Sequence, residues 1–185
     1  MFLRDYIPNI DKKFSNVNFS GITFQSSKIK KNNIFFAIKG SKFDGNHYIQ
    51  DAIQRGAKII ISENHETQKK SNVIFLFSSN VRKLLAEISY KISGKIPKKL
   101  VAVTGTNGKS SIADFYFQIL KLNFKNVASI GTIGIKYNNI KKPLLNTTLD
   151  PVQMGSLLNR LKKKRINYVI MEASSHGLKQ NRLDG

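Results

Sequence analysis

The run Val101-Ala102-Val103-Thr104-Gly105-Thr106-Asn107-Gly108-Lys109-Ser110-Ser111 holds residue types that bind a polyphosphate. An apolar strand leads into a glycine-bearing turn, and Gly-Lys-Ser then opens a helix. Such a turn aims successive backbone N–H groups at phosphate oxygens, and the helix N-terminus adds partial positive charge. Gly105 and Gly108 permit close backbone approach. In a phosphate loop of this kind the lysine reaches the β- and γ-phosphates and the next hydroxyl ligates Mg²⁺. Those roles fall here on Lys109 and Ser110, with Thr106, Asn107 and Ser111 completing the loop. The strict G-x-x-x-x-G-K-[ST] spacing is not met, because Val103 stands at the first glycine position. Taken alone, a chance Gly-Lys-Ser at an ordinary strand–turn–helix is the competing reading. Magnesium needs oxygen ligands. Glu172 directly follows the apolar run Tyr168 to Met171, which puts it at the carboxyl end of a strand, the ligand edge of a parallel sheet. In isolation it reads as a solvated strand-end carboxylate. Beside the hydroxyls of Ser110 and Ser111 it reads as a metal ligand.

The elements that must position these groups alternate strand and helix over residues 100–185. Strands are expected at Leu100–Val103, where a buried strand should feed the loop, at Val127–Ile130 and at Tyr168–Met171. Helices are expected over 109–122, with Ile112, Phe115, Tyr116 and Ile119 inward, and from Pro151 after Asp150, with Met154, Leu157, Leu158 and Leu161 inward. That alternation predicts a parallel α/β sheet. Residues 1–93 read as a separate, mixed α/β unit. It has strand candidates within 19–24, 34–38, 59–61 and 73–76, a short helix over 47–55 and a polar loop over 63–72. A helix runs from the N-cap Asn80 to Ser93, with Val81, Leu84, Leu85, Ile88 and Ile92 on one face and Gly94 as its cap. Residues 94–99, with Pro97, read as the linker.

Composition excludes several classes. The 185 residues contain no cysteine, so disulfide frameworks, thiol nucleophiles and cysteine-based metal sites are ruled out. His47, His65 and His176 show no metal-ligand spacing. No apolar run approaches the roughly 18 residues of a membrane span, and the start Met1-Phe2-Leu3-Arg4 is not that of a signal peptide. A cytoplasmic protein with no membrane partner is expected. The formal charge of +20 favours anionic partners, yet the lysines are spread along the whole chain. It reads as a compositional bias, and nucleic-acid binding is not expected to be the function.

Thr104 to Ser111 resembles the ATP loop of the Mur ligases, which is shorter than the standard one and accounts for Val103. Asn146-Thr147-Thr148 is similar to that family's Asn-Thr-Thr substrate segment. Met171-Glu172-Ala173-Ser174-Ser175-His176-Gly177-Leu178-Lys179-Gln180-Asn181-Arg182 is similar to the signature of the members that add the third peptide residue. Gln25-Ser26-Ser27-Lys28, and Phe36-Ala37-Ile38-Lys39-Gly40 followed by Asp44-Gly45, fit the family's amino-terminal patterns, with Gln25 and Ser27 replacing its Asp and Arg and Leu149 replacing a common Pro.

The resemblance implies a small uridine-type domain followed by the first part of a P-loop ATP-binding domain, the chain being an amino-terminal fragment inactive by itself. It implies an ATP- and Mg²⁺-dependent amide ligase acting on UDP-N-acetylmuramoyl-L-alanyl-D-glutamate through an acyl phosphate, with a diamino acid, lysine or meso-diaminopimelate, as the incoming amine. A monomer is expected. Lys109 and Glu172 would be catalytic, and Gly105 to Ser111 would hold ATP, with Ser110 and Glu172 on the metal. Ser26, Ser41, Lys42 and Phe43 would meet the uridine diphosphate end. Asn146, Thr147, Thr148, Ser174, Gln180 and Arg182 would hold the muramoyl-peptide, while His176 is expected to be structural. A folylpolyglutamate-synthase-like ligase and a non-catalytic nucleotide-binding fragment are the alternatives.

Overall fold

The computed structural model describes residues 1–40, 43–64, 68–70, 72–144 and 147–185. The chain divides into two compact units, Met1–Lys91 and Ile92–Gly185, each with its own five-stranded sheet. Among the described residues no helix is long and apolar enough to cross a membrane.

In the first unit the sheet order is β1-β2-β3-β5-β4. Strands β1 (Gly21–Thr23), β2 (Asn33–Phe36), β3 (Ala57–Ser62) and β5 (Val73–Phe77) run parallel. Strands covered on both faces read as continuous apolar runs, and Ile34, Phe35 and Phe36 of β2 and Ile59, Ile60 and Ile61 of β3 are fully buried. Phe35 and Ile60 pack with Ala52 and Ile53 of helix α2 (Ile49–Gln54). The helix expected over 47–55 begins instead as a 3-10 turn, Gly45–Tyr48, because Asp44 caps it by accepting from the Asn46 N–H at 2.9 Å. Helix α1 (Lys12–Ser15) is a single turn, and helix α3 (Val81–Ser93) starts where expected, with Asn80 accepting from the Lys83 N–H at 2.9 Å. The polar stretch 63–72 is not simply a loop, since β4 (Gln68–Lys70) adds antiparallel to β5. Its ladder supplies the backbone hydrogen bonds that its sequence gives no hint of, and lysine is a residue type common in edge strands.

The second unit carries the phosphate loop. Its sheet order is β6-β10-β7-β8-β9, with β6 (Lys99–Val103), β10 (Tyr168–Glu172) and β7 (Val127–Gly131) parallel. The expected parallel core is present, extended by an antiparallel meander, β8 (Gly134–Tyr137) and β9 (Ile140–Lys142). Asn138, at φ 49°, takes the left-handed conformation that the tight β8–β9 turn requires. Helix α4 (Lys109–Leu122) packs across β6, β10 and β7, while α5 (Pro151–Lys163) buries Met154, Leu157, Leu158 and Leu161 as expected. Asp150 caps α5 by accepting from the Gln153 N–H at 3.0 Å.

Two expectations are corrected. Strand β6 is not buried; it lies at the sheet edge, with β10 as its partner and Leu100 40% exposed. The inward stripe of α4 is also different. Ala113 and Phe117 are buried against Val127 and Ile170, with Leu120 packed on them, whereas Phe115 is 64% exposed and Ile112, Tyr116 and Ile119 lie outside with it. Both stripes satisfy three- and four-residue spacing. The buried one is in phase with Ser110, so the turn that brings Ser110 down onto the sheet also selects which apolar stripe goes inward.

Candidate active site

Side chains alternate along β10, so Tyr168, Ile170 and Glu172 share the face that α4 covers. Ile170 fixes the register against Val127 and Phe117, and Glu172 then emerges one step further, at the first turn of α4. Its side chain is buried, the residue being 3% exposed. The Ser110 hydroxyl donates to Glu172 Oε2 at 2.9 Å. The Thr132 N–H donates to Oε1 and the Thr132 hydroxyl to Oε2, each at 3.0 Å. A buried carboxylate thus receives three donors, as burial of its polar oxygens demands. Gly131 makes it possible: a Cβ there would lie 2.2 Å from Glu172 Oε1.

The loop before α4 has the expected form. Gly108, at φ 78°, stands as the residue before the helix, and Gly105 is at φ 148°. A Cβ built on Gly108 meets nothing within 4 Å, so the space over the helix N-terminus is open where a phosphate would lie. Lys109 Nζ folds back on the loop, donating to the Gly105 carbonyl at 2.7 Å and the Thr106 carbonyl at 3.3 Å. Thr106, Asn107 and Ser111 are exposed around it. One turn into α4, Asp114 pairs with Lys136 of β8 at 2.5 Å and accepts from Gln118 at 2.6 Å. The Lys136 ammonium, by its hydrogen bond, holds the Asp114 carboxyl below its ordinary range.

On the other side of Glu172 lies a second cluster. Thr147 Oγ1 is 3.0 Å from Thr132 Oγ1. Thr148 is buried; its hydroxyl accepts from the Ser174 N–H at 3.0 Å and lies 3.2 Å from Ser174 Oγ. Ser174 caps α6 (Ser175–Lys179), accepting from the Gly177 N–H at 3.1 Å. Arg182 reaches the Thr148 carbonyl at 2.6 Å and Gln180 Oε1 at 2.7 and 3.0 Å, and Gln180 also contacts His176 at 2.7 Å. The structure therefore brings Ser110, Glu172, Thr147, Thr148, Ser174, Gln180 and Arg182 to one edge of one sheet.

Ser26 and Phe43 belong to the first unit. Ser26 sits beside Asp51, whose carboxyl is held low first by the Ser26 hydroxyl and then by the Arg55 guanidinium, and Phe43 is 71% exposed. Ser41, Lys42 and Asn146 lie outside the described residues. Sequence reading missed Thr132 and Gly131. The signal was present: they follow the apolar strand Val127–Ile130 just as Glu172 follows Tyr168–Met171, so the same edge argument applied.

Among the described residues no three acidic or histidine side chains gather to hold a metal on their own. One buried carboxylate and one hydroxyl suit Mg²⁺, which keeps water and phosphate oxygens in its shell. The loop, the long helix behind it and the strand-end carboxylate are those of a phosphate-binding α/β domain. The chain belongs to the Mur ligase family: residues 18–102 match the family model "Mur ligase family, catalytic domain" and residues 103–185 match "Mur ligase middle domain". The UDP-N-acetylmuramoyl-L-alanyl-D-glutamate--2,6-diaminopimelate ligase of Rickettsia typhi is 39% identical over 179 residues, 95% of this chain and 36% of that protein. Its counterpart in Rhizobium meliloti is 38% identical over 171 residues, 92% and 35% of the two lengths. A solved structure of a ligase of the same name superposes with TM-score 0.83 at 28% identity, over 100% of this chain and 38% of its own. The MurF ligase of Thermotoga maritima, solved in complex with ADP, shares the fold at TM-score 0.52 and 20% identity, over 83% of this chain and 32% of its own. The chain spans a little over a third of the length of the curated relatives it matches.

Proposed function

We propose that this chain supplies the UDP-precursor and nucleotide sites of an ATP-dependent amide ligase that extends UDP-N-acetylmuramoyl-L-alanyl-D-glutamate by a diamino acid in peptidoglycan precursor synthesis. The relatives' names carry 2,6-diaminopimelate, which makes it the favoured amine. The observation that carries the reading is the Ser110–Glu172 hydrogen bond, which joins the phosphate loop to a buried carboxylate beside the Thr147–Arg182 cluster.

The difficulty of the reaction is electrostatic, since a substrate carboxylate must approach a polyphosphate. Bound Mg²⁺ supplies charge neutralisation, with Ser110 and Glu172 as its protein ligands. The Gly105 to Ser111 backbone cradles the phosphates. Lys109 releases the loop carbonyls it now holds and turns to the terminal phosphate, where its charge counters the negative charge that redistributes during transfer. Thr147, Ser174, Gln180 and Arg182 orient the muramoyl-peptide, with Thr148 and Asn146 in the same segment, so that its carboxylate faces the terminal phosphate of ATP; transfer of that phosphoryl group would release ADP and give an acyl phosphate, and attack by the amine would form the amide and release phosphate and a proton. Ser26, Ser41, Lys42 and Phe43 take the uridine diphosphate end.

Titration calorimetry tests this on the 185-residue chain. Mg-ADP and the UDP-muramoyl dipeptide should each bind saturably, and Lys109→Ala should weaken the first while sparing the second. No saturable heat from either ligand at millimolar concentration refutes the reading.

A further inference from the structure

We propose that Thr132 is a positioning residue that fixes the Glu172 carboxylate and connects it to Thr147 through a one-way chain of hydroxyl protons; this rests on the reading of Glu172 as the metal-side carboxylate.

The geometry is a clasp. One residue meets both carboxylate oxygens, its N–H on Oε1 and its hydroxyl on Oε2, each at 3.0 Å. Two attachments on one residue fix both the rotation and the reach of the carboxylate, which a single bond does not. The hydroxyl also lies 3.0 Å from Thr147 Oγ1. Proton inventory then sets a direction. A threonine hydroxyl carries one proton and two acceptor sites. The Thr132 hydroxyl donates to Oε2, so its one proton is committed there. The bond between the two threonines must therefore be donated by Thr147. The chain runs Thr147 O–H to Thr132 O–H to Glu172, and the Ser110 hydroxyl meets the same Oε2 from the phosphate-loop side at 2.9 Å.

This arrangement has a consequence for ligands at Thr147. A group that donates to Thr147 leaves the chain intact. A carboxylate or phosphate that demands the Thr147 proton takes it from Thr132, which removes the polarising contact behind the Thr132–Glu172 bond. Occupancy beside Thr147 is thereby felt at the metal-side carboxylate, with no movement of backbone.

The test compares Thr132→Val, which keeps the N–H and the branched shape but removes the hydroxyl, with Thr132→Ser, which restores it. ADP affinity of the 185-residue chain is measured with Mg²⁺ and with EDTA. Thr132→Val should lose about tenfold in the Mg²⁺-containing titration, as expected for one hydrogen bond to a charged group, and stay within about twofold in EDTA. Thr132→Ser should recover the wild-type values. Equal affinities for all three proteins, or an equal loss with and without Mg²⁺, overturns the positioning role. A second measurement separates this from failure of the nucleotide reading itself, which would show as no Mg²⁺-dependent binding in the wild type. In ligand-free chain, urea unfolding of Thr132→Val, Thr147→Val and the double variant should be non-additive, the double variant losing less than the two single losses combined. Additive losses overturn the hydroxyl chain whatever the nucleotide result.

Discussion

Replacing Gly131 by alanine perturbs the site through one methyl group. Its Cβ would stand 2.2 Å from Glu172 Oε1, 2.5 Å from Cδ and 2.6 Å from Cγ. The backbone at Gly131 is not in the left-handed region, so alanine carries no conformational penalty there. All three contacts are with one side chain, and the carboxylate is its movable end. Relief therefore comes from Glu172 swinging away by about 1 Å, enough to stretch bonds of 2.9–3.0 Å to about 4 Å, beyond hydrogen-bond reach. The folding cost belongs with overpacking, about 1–3 kcal/mol. The cost to the site is larger in proportion. Losing one well-placed bond to an ionised group is worth about 1.5–3 kcal/mol, or about 10- to 100-fold in an equilibrium constant. ADP titration in Mg²⁺ should show a loss of that size, with a much smaller loss in EDTA, while urea unfolding remains cooperative. Mg-ADP affinity within twofold of wild type would refute the reasoning, because Glu172 would then have no bearing on the metal-dependent part of binding.

The two apolar stripes of α4 should separate cleanly: Phe117→Ala should cost about 3–5 kcal/mol and Phe115→Ala within about 0.5 kcal/mol, read by urea unfolding. The lowered pKa of Asp114 makes its pairing with Lys136 acid-sensitive. A depressed folded-state pKa contributes stability above the unfolded value, about 3.9, that is lost as pH falls through the folded value. Lys136→Met should therefore be less stable than wild type by up to about 1 kcal/mol at pH 6, with the gap closing below about pH 4. In a full-length Mur ligase carrying these two domains, Lys109→Ala should lower turnover by about 10²–10³ in an ADP-release assay, the scale of one lost electrostatic contact.

The phosphate loop was legible because its glycines, lysine and serine must fall in order between a strand and a helix, and Glu172 was legible from its place after an apolar strand. Helix α5 was legible for a similar reason, with one apolar stripe and an aspartate and proline at its start. The inward face of α4 was not, since Ile112, Phe115, Tyr116 and Ile119 form as regular a stripe as Ala113, Phe117 and Leu120; only packing against Ile170 and Val127 decides between them. Strand β4 escaped because it is made of glutamine and lysine and exists through its ladder with β5. The β8–β9 hairpin left a weak trace, the Asn138-Asn139 pair between Tyr137 and Ile140. Thr132 left only the trace of its place just past the apolar strand Val127–Ile130; it matters because the sheet order sets the end of β7 next to the end of β10.

That sheet order also governs how the molecule comes into being. Strand β10 is made after β6, β7, β8 and β9, yet it lies between β6 and β7. While the chain is emerging, β6 and its loop have no neighbouring strand, and Ser110 has no carboxylate to meet. At about 5–20 residues per second of synthesis, the roughly 70 residues from the end of β6 to the end of β10 take on the order of 3–14 s. During that interval the apolar edge of β6 stands open, and inserting a strand between two others must bring together segments far apart in sequence, a slow class of folding event. The Ser110–Glu172 contact is therefore acquired late and in a single step, with the arrival of β10, rather than growing with the length of the nascent chain.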